Sequence, residues 1–156
     1  MKPRYAAAFA LVAAGCAVTG ASFEPVSPQP NQAVIYVYRP YSYNGSLLSP
    51  AVACGSSMAH IGAGGYHPFK VRSGSVKCAV GSNSAELSCL TASGSPLGIT
   101  ECTASAGSEV QFEVEPGSAS YVKEERASWL APGLGLYQMD AETAQPEIQS
   151  CCKLSP

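Results

Sequence analysis

The chain has 156 residues, 46% of them hydrophobic and 13% charged, with a formal net charge of −2. That length suits one domain with tails, and the lack of any Lys/Arg cluster argues against a nucleic-acid partner and against attraction to anionic lipid head groups. Seven cysteines point to an oxidising compartment.

Residues 2–16 read KPRYAAAFALVAAGC. Lys2 and Arg4 form a basic flank, and Tyr5 to Ala14 is an apolar run of ten. A bilayer span needs about 20 such residues, so the run has the length of a secretory leader, 1–15, removed on export. A core helix is the competing reading, against which stand the basic flank, the N-terminal position and the small residues that follow. Ala13-Ala14-Gly15-Cys16 resembles the lipobox of bacterial lipoproteins, in which small residues precede a cysteine that becomes the lipid-modified N-terminus. Ala13 departs from it, since that pattern prefers leucine there. The alternative is cleavage after Ala21, with Thr19 and Ala21 at the small-residue positions, giving a soluble secreted protein. Lipidation at Cys16 is the favoured reading. Ala17 rather than aspartate follows it, which by the same resemblance implies an outer-membrane lipoprotein facing the periplasm. Without the leader, seven basic residues face eleven acidic ones, a net charge of −4. Membrane contact is therefore expected through the N-terminal lipid anchor.

From Cys16 to Pro30 the chain carries Pro25, Pro28 and Pro30, the composition of an extended, semi-rigid tether. From 31 onward, short apolar runs separated by Gly, Ser, Asn and Pro predict an all-β domain over 31–140. AVIYVYR (33–39) is the first strand, ended by Pro40, which lacks the donor a ladder needs. Its alternation puts Val34, Tyr36 and Tyr38 on one face and Ala33, Ile35 and Val37 on the other. Both faces are apolar, so the strand is expected to be covered on both sides, reaching solvent at Arg39. PAVAC (50–54), SMAHIG (57–62), YHPFKV (66–71) and SVKCAV (75–80) follow, separated by glycine turns. Residues 81–107 are rich in Ser, Gly and Thr, with weak candidates at ELSCL and GITEC. SEVQFEV (108–114) alternates cleanly, as a half-buried strand does. Glu115-Pro116-Gly117 is a turn, SASYVKEE (118–125) the next strand with Glu124-Glu125 as its solvated end, and GLGLYQMD (133–140) the last. In 141–156 only AETAQPEIQS has helical composition, and Pro146 is expected to keep that helix short. The prediction is a small antiparallel β-sandwich of about seven to nine strands with a short C-terminal helical segment.

Both cleavage readings remove Cys16 from pairing and leave Cys54, Cys78, Cys89, Cys102, Cys151 and Cys152, enough for three disulfides. The best-argued pair is Cys89 with Cys102, which flank a Gly/Ser/Pro stretch that must double back; closing it would add about 3 kcal/mol. A Cys54–Cys78 bridge is possible. Cys151 and Cys152 are ambiguous, because joining adjacent cysteines closes a strained eight-membered ring and each can instead bridge elsewhere. Metal binding by Cys54, His60, His67 and Cys78 is the rival use of these thiols, but their spacing fits no zinc motif, so no metal and no cofactor is expected.

Taken in order, AVIYVYRP, SPAV, GGYHPFKVRSGS, EVEPGSASYVKEE and GLYQMD resemble a family of uncharacterised bacterial lipoproteins with a conserved domain of unknown function. Its I-Y-x-Y-R-P strand falls on Ile35 to Pro40, its G-x-Y segment on Gly65-Tyr66, its glycine turn on Ser73-Gly74 and its G-x-x-Y-Y-V strand on Gly117 to Val122. The resemblance covers 31–140 and departs at 81–107, a Cys-containing insertion, and in its cysteine richness. It implies a small β-sandwich and no assigned activity.

Ser56, His60 and Asp140 could form a hydrolytic set on paper, but there is no G-x-S-x-G elbow. Glu109, Glu113 and Glu115 read as the wet face or edge of a strand rather than as a glycosidase pair. Tyr41 and Tyr43, beyond Pro40, are candidate contacts for an envelope protein or a glycan. The sequence thus reads as a non-catalytic envelope lipoprotein with a structural or binding domain. An envelope hydrolase and a secreted disulfide-rich module are the alternatives.

Overall fold

The computed structural model describes residues 19–42, 46–81, 87–91, 100–104, 108–126 and 134–156. Among these residues eleven strands and one helix follow in chain order: β1 Gln32–Arg39, β2 Ala51–Cys54, β3 Ser57–His60, β4 Gly65–Arg72, β5 Gly74–Gly81, β6 Leu87–Thr91, β7 Thr100–Ala104, β8 Ser108–Val114, β9 Ala119–Arg126, β10 Leu134–Met139, α1 Ala141–Cys151 and β11 Lys153–Leu154. The all-β reading holds. Two sheets contain nine of the strands, one ordered β10-β9-β1-β4-β11 and the other β3-β2-β5-β8, and β6-β7 form a separate ribbon from the 81–107 insertion.

Period-two side-chain alternation builds the layers. Ala33, Ile35 and Val37 of β1 join Phe69, Val71, Val122 and Leu136 from their own sheet. They meet Val52, Val76, Val80, Phe112 and Val114 of the other sheet in one aliphatic core. The opposite face of β1 sends Val34, Tyr36 and Tyr38 into a second cluster with Phe23, Tyr66, Tyr121, Ala144, Ile148 and Cys152. The strand is thus covered on both sides, as its composition predicted. On the far side of the four-stranded sheet, Ala51, Ala53 and Ala79 form a small third cluster.

The larger sheet is mixed rather than purely antiparallel, because β9 runs parallel to β1, pairing Val34 with Ala119 through Tyr38 with Lys123. The cause lies in the turn after β8. Gly117, at φ 77°, takes the left-handed conformation that glycine tolerates best. Its N–H donates to Gln32 O at 2.8 Å, and Val34 N donates to Ser118 O at 3.0 Å. The chain therefore leaves one sheet and enters the other beside the start of β1, and runs in its direction. Pro68, within β4, is tolerated for a related reason. Tyr66 O accepts from Ser155 N, so by alternation Pro68 also faces outward. There β11 has already ended, since its pairing covers only Gly65 and Tyr66, and the missing donor is not needed.

The helix is longer than Pro146 suggested, running eleven residues straight through it. An interior proline costs about 3 kcal/mol. Against that, Ala144 and Ile148 are fully buried on the tyrosine face, and Asp140 caps the first turn, accepting from Thr143 N at 2.8 Å and from Thr143 Oγ1 at 2.9 Å. These bonds hold the Asp140 carboxyl below its usual range. No helix among the described residues is long and apolar enough to cross a membrane.

The Pro-rich stretch is extended, but it is not free of the domain. Phe23 packs edge-on against Tyr36 and Tyr66 at 5.2 and 5.4 Å. Val26 N donates to Tyr36 Oη at 2.6 Å, Tyr66 Oη donates to Ser22 O at 3.2 Å, and Ser22 bridges to Lys153. Residues 22–26 are strapped along the sheet by the tyrosines of its outer face.

Candidate functional site

The end of the sandwich where β1 stops gathers the features that secondary structure alone does not require. Ile35, Val37 and then Arg39 face inward on β1, and Val122 and then Glu124 do so on β9. The parallel register that pairs Tyr38 with Lys123 brings the next two residues together. Arg39 Nε lies 3.5 Å from Glu124 Oε1. Both residues are buried, at 6% and 1% exposure. The expectation of Arg39 as the point of emergence and Glu124 as a solvated end is therefore corrected. Two-residue alternation, carried two positions further along each strand, would have found both.

Neither carboxylate oxygen of Glu124 has a hydrogen-bond partner among the described residues. Burial pushes its carboxyl up to about 7, with the Arg39 charge opposing. The guanidinium also serves the loop above it, donating from Nη1 to Leu48 O at 2.8 Å and reaching Ile61 O at 3.5 Å. His60 Nδ1 lies 3.0 Å from Ser49 O. The backbone of 48–49 is thus held at two points, while the side chains beside it face water: Leu47 is 89% exposed and Leu48 46%.

Behind that loop is a cleft of about 610 Å³, lined by Thr19, Leu47, Leu48, His60, Leu154 and Ser155 among others. Four segments distant in sequence meet there because the backbones approach closely. A Cβ on Gly20 would run into Leu154 O, and one on Gly65 into Ser155 Oγ and Gly62 O. Ser155 Oγ is buried without a hydrogen-bond partner among the described residues, as is His67 Nδ1. Burial pushes the His67 imidazole down, opposed by a hydrogen bond with the Ser155 backbone.

The structure distributes the sequence candidates differently. Cys54 and Cys78 are direct partners across β2 and β5, bonded at 2.07 Å and fully buried in the aliphatic core. Those two thiols are therefore unavailable to the His60/His67 metal set, and no group of three or more His, Cys, Asp or Glu among the described residues is placed to hold a metal. Cys151 and Cys152 bond to each other at 2.01 Å rather than to separate partners. They sit where α1 gives way to extended chain at Cys152. Cys89 and Cys102 stand directly opposite in the β6–β7 register, and their side chains lie outside the described residues. So do Cys16, the whole leader and Tyr43.

Tyr41 is 63% exposed and does not line the cleft. Asp140 is engaged in capping its helix, which leaves the paper set of Ser56, His60 and Asp140 without its acid. Glu109 is paired with Lys77 at 3.5 Å, and Glu113 and Glu115 are exposed. Leu47, Leu48 and Ser155 escaped the sequence reading, although one signal was present: residues 40 to 69 contain no Asp, Glu, Lys or Arg.

The chain matches no family model, no curated protein and no solved structure.

Proposed function

We propose that the protein is an envelope lipoprotein, anchored through Cys16 to the outer membrane and facing the periplasm, whose sandwich plays a structural or binding role. The reading rests on the N-terminal pattern of basic flank, apolar run and Ala-Ala-Gly-Cys, and on the likeness of 31–140 to the uncharacterised lipoprotein family. One structural observation carries it over secretion. Cleavage after Ala21 would remove Thr19 to Ala21, yet these residues are part of the domain. Ala21 O accepts from Leu154 N at 2.8 Å, Gly20 packs against Leu154, and Thr19 lines the cleft. Cleavage before Cys16 keeps all three.

In this reading the domain is a non-catalytic module whose partner is an envelope protein or a glycan. Palmitate labelling of the expressed protein should be positive and should vanish in Cys16→Ser. An unlabelled mature chain beginning at Ser22 would overturn the anchor. A hydrolase screen in which one serine substitution abolishes turnover would replace the binding role with a catalytic one.

A further inference from the structure

Accepting the anchor at Cys16, we infer that the end of the sandwich led by Leu47 and Leu48 seats on the bilayer interface that holds the lipid.

The first support is reach. Phe23 and its neighbours strap the N-terminal segment to the sheet, so the Pro-rich stretch does not hold the domain at a distance. Only three peptide steps separate Cys16 from Thr19, a reach of at most about 11 Å. Thr19 and Gly20 line the same cleft as Leu47 and Leu48. Whatever the chain does before Thr19, a lipid on Cys16 leaves that cleft within one short tether of the head groups.

The second support is the way the leucines are presented. An exposed leucine on a slack loop can fold back onto the domain, but this loop is pinned from beneath by Arg39 through Leu48 O and by His60 through Ser49 O. The leucines are held outward. The pair, fixed side by side in water, offers apolar area that a bilayer interface can bury.

Charge at this end is sparse and of both signs. The stretch from 40 to 69 brings none, the guanidinium of Arg39 is buried against Glu124, and the exposed Glu125, beside Gly135, and Lys153, beside Gly65, are of opposite sign. An apolar contact that adds to a lipid anchor strengthens and orients it, because membrane affinity scales with buried apolar area.

The test uses the full lipidated chain in vesicles of phosphatidylethanolamine and phosphatidylglycerol, read by amide hydrogen exchange. Amides of 46–49 should exchange on the order of tenfold more slowly in wild type than in the Leu47→Asp, Leu48→Asp double variant, after correction for intrinsic rates. The 113–118 turn should exchange identically in both, which also reports that the variant is folded. Palmitate must be present in both proteins; its absence overturns the anchor and this inference together. Label present with equal exchange at 46–49 overturns the inference alone. Slowing seen in whole envelopes but not in lipid vesicles would give the surface to a protein partner and likewise overturn it.

Discussion

The two faces of β1 are equally buried and differently made. The inner face meets the second sheet through aliphatic side chains and the Cys54–Cys78 bridge. The outer face is a layer of phenols, in which Tyr36 stacks on Tyr121 at 5.3 Å and the hydroxyls engage specific partners. Tyr38 donates to Glu147 at 2.7 Å, Lys123 donates to the other oxygen of Glu147 at 2.7 Å, and Gln145 donates to Tyr121 at 2.7 Å. Desolvation pushes Tyr36, Tyr38 and Tyr66 above their usual range. Desolvation also pushes Glu147 up, but its bonds from Lys123 and Tyr38 outweigh that and hold it down. Aliphatic burial is non-directional and joins whatever surfaces fit, whereas buried phenols need partners at set positions. One face thus joins the two sheets, and the other selects what covers them: a helix and an N-terminal strap.

The sharpest way to break this contrast is at the inner face. Phe69→Ala should cost about 4 kcal/mol, because a large ring leaves a cavity that a two-sheet core closes poorly. Urea unfolding monitored by far-ultraviolet circular dichroism would measure it, and a cost near that of a surface substitution would mean the sheets are not packed through this residue. Removing the bridge with Cys54→Ala and Cys78→Ala should cost about 3.5 kcal/mol in the chain-entropy model, for two cysteines 24 residues apart. Unfolding of the double variant beside wild type checks this, and no difference would assign the bridge no part in stability.

Glu124 is the exception on the dry face, and pH exposes it. Its folded-state carboxyl, at about 7 against 4.5, holds the proton more tightly than the unfolded chain does. The associated stability is fully present below about pH 4.5 and is lost as pH rises through about 7, some 3 kcal/mol at about 1.4 kcal/mol per pKa unit. His67, held down by burial, has the opposite slope. The readout is therefore the difference between wild type and Glu124→Gln over a pH series, and parallel profiles would refute the buried carboxyl. The smallest effect sharpens the outer face. Tyr38→Phe should cost about 1 kcal/mol and speed amide exchange in Ala141–Cys151 more than in the sheets; uniform loss would mean that the phenol does not specifically hold the helix.

What was legible in the sequence follows the same division. Period-two alternation exposed β1's two faces and the clean strand at 108–114, because aliphatic burial writes itself into local pattern. Glu124 and Arg39 were misread because a charged residue at a strand end ordinarily faces water; only the parallel pairing of β1 with β9 shows that each has the other. The through-helix Pro146 and the strapped Phe23 were hidden for a related reason. What holds them is tyrosines elsewhere in the chain, and local propensity carries no record of distant hydroxyls. Leu47 and Leu48 looked like ordinary loop residues until their backbone was seen to be pinned.

The parallel pairing has a kinetic consequence. β1 is the central strand of its sheet, yet the neighbour on one side is supplied by Ala119–Arg126, far along the chain. Until those residues emerge, one edge of the most apolar strand stands open, with β4 alone beside it. Such a late, long-range closure slows folding, and an open apolar edge invites pairing with other chains. The early IYVY segment is therefore where a stalled or truncated chain would begin to aggregate, and where a holding chaperone would have its best purchase.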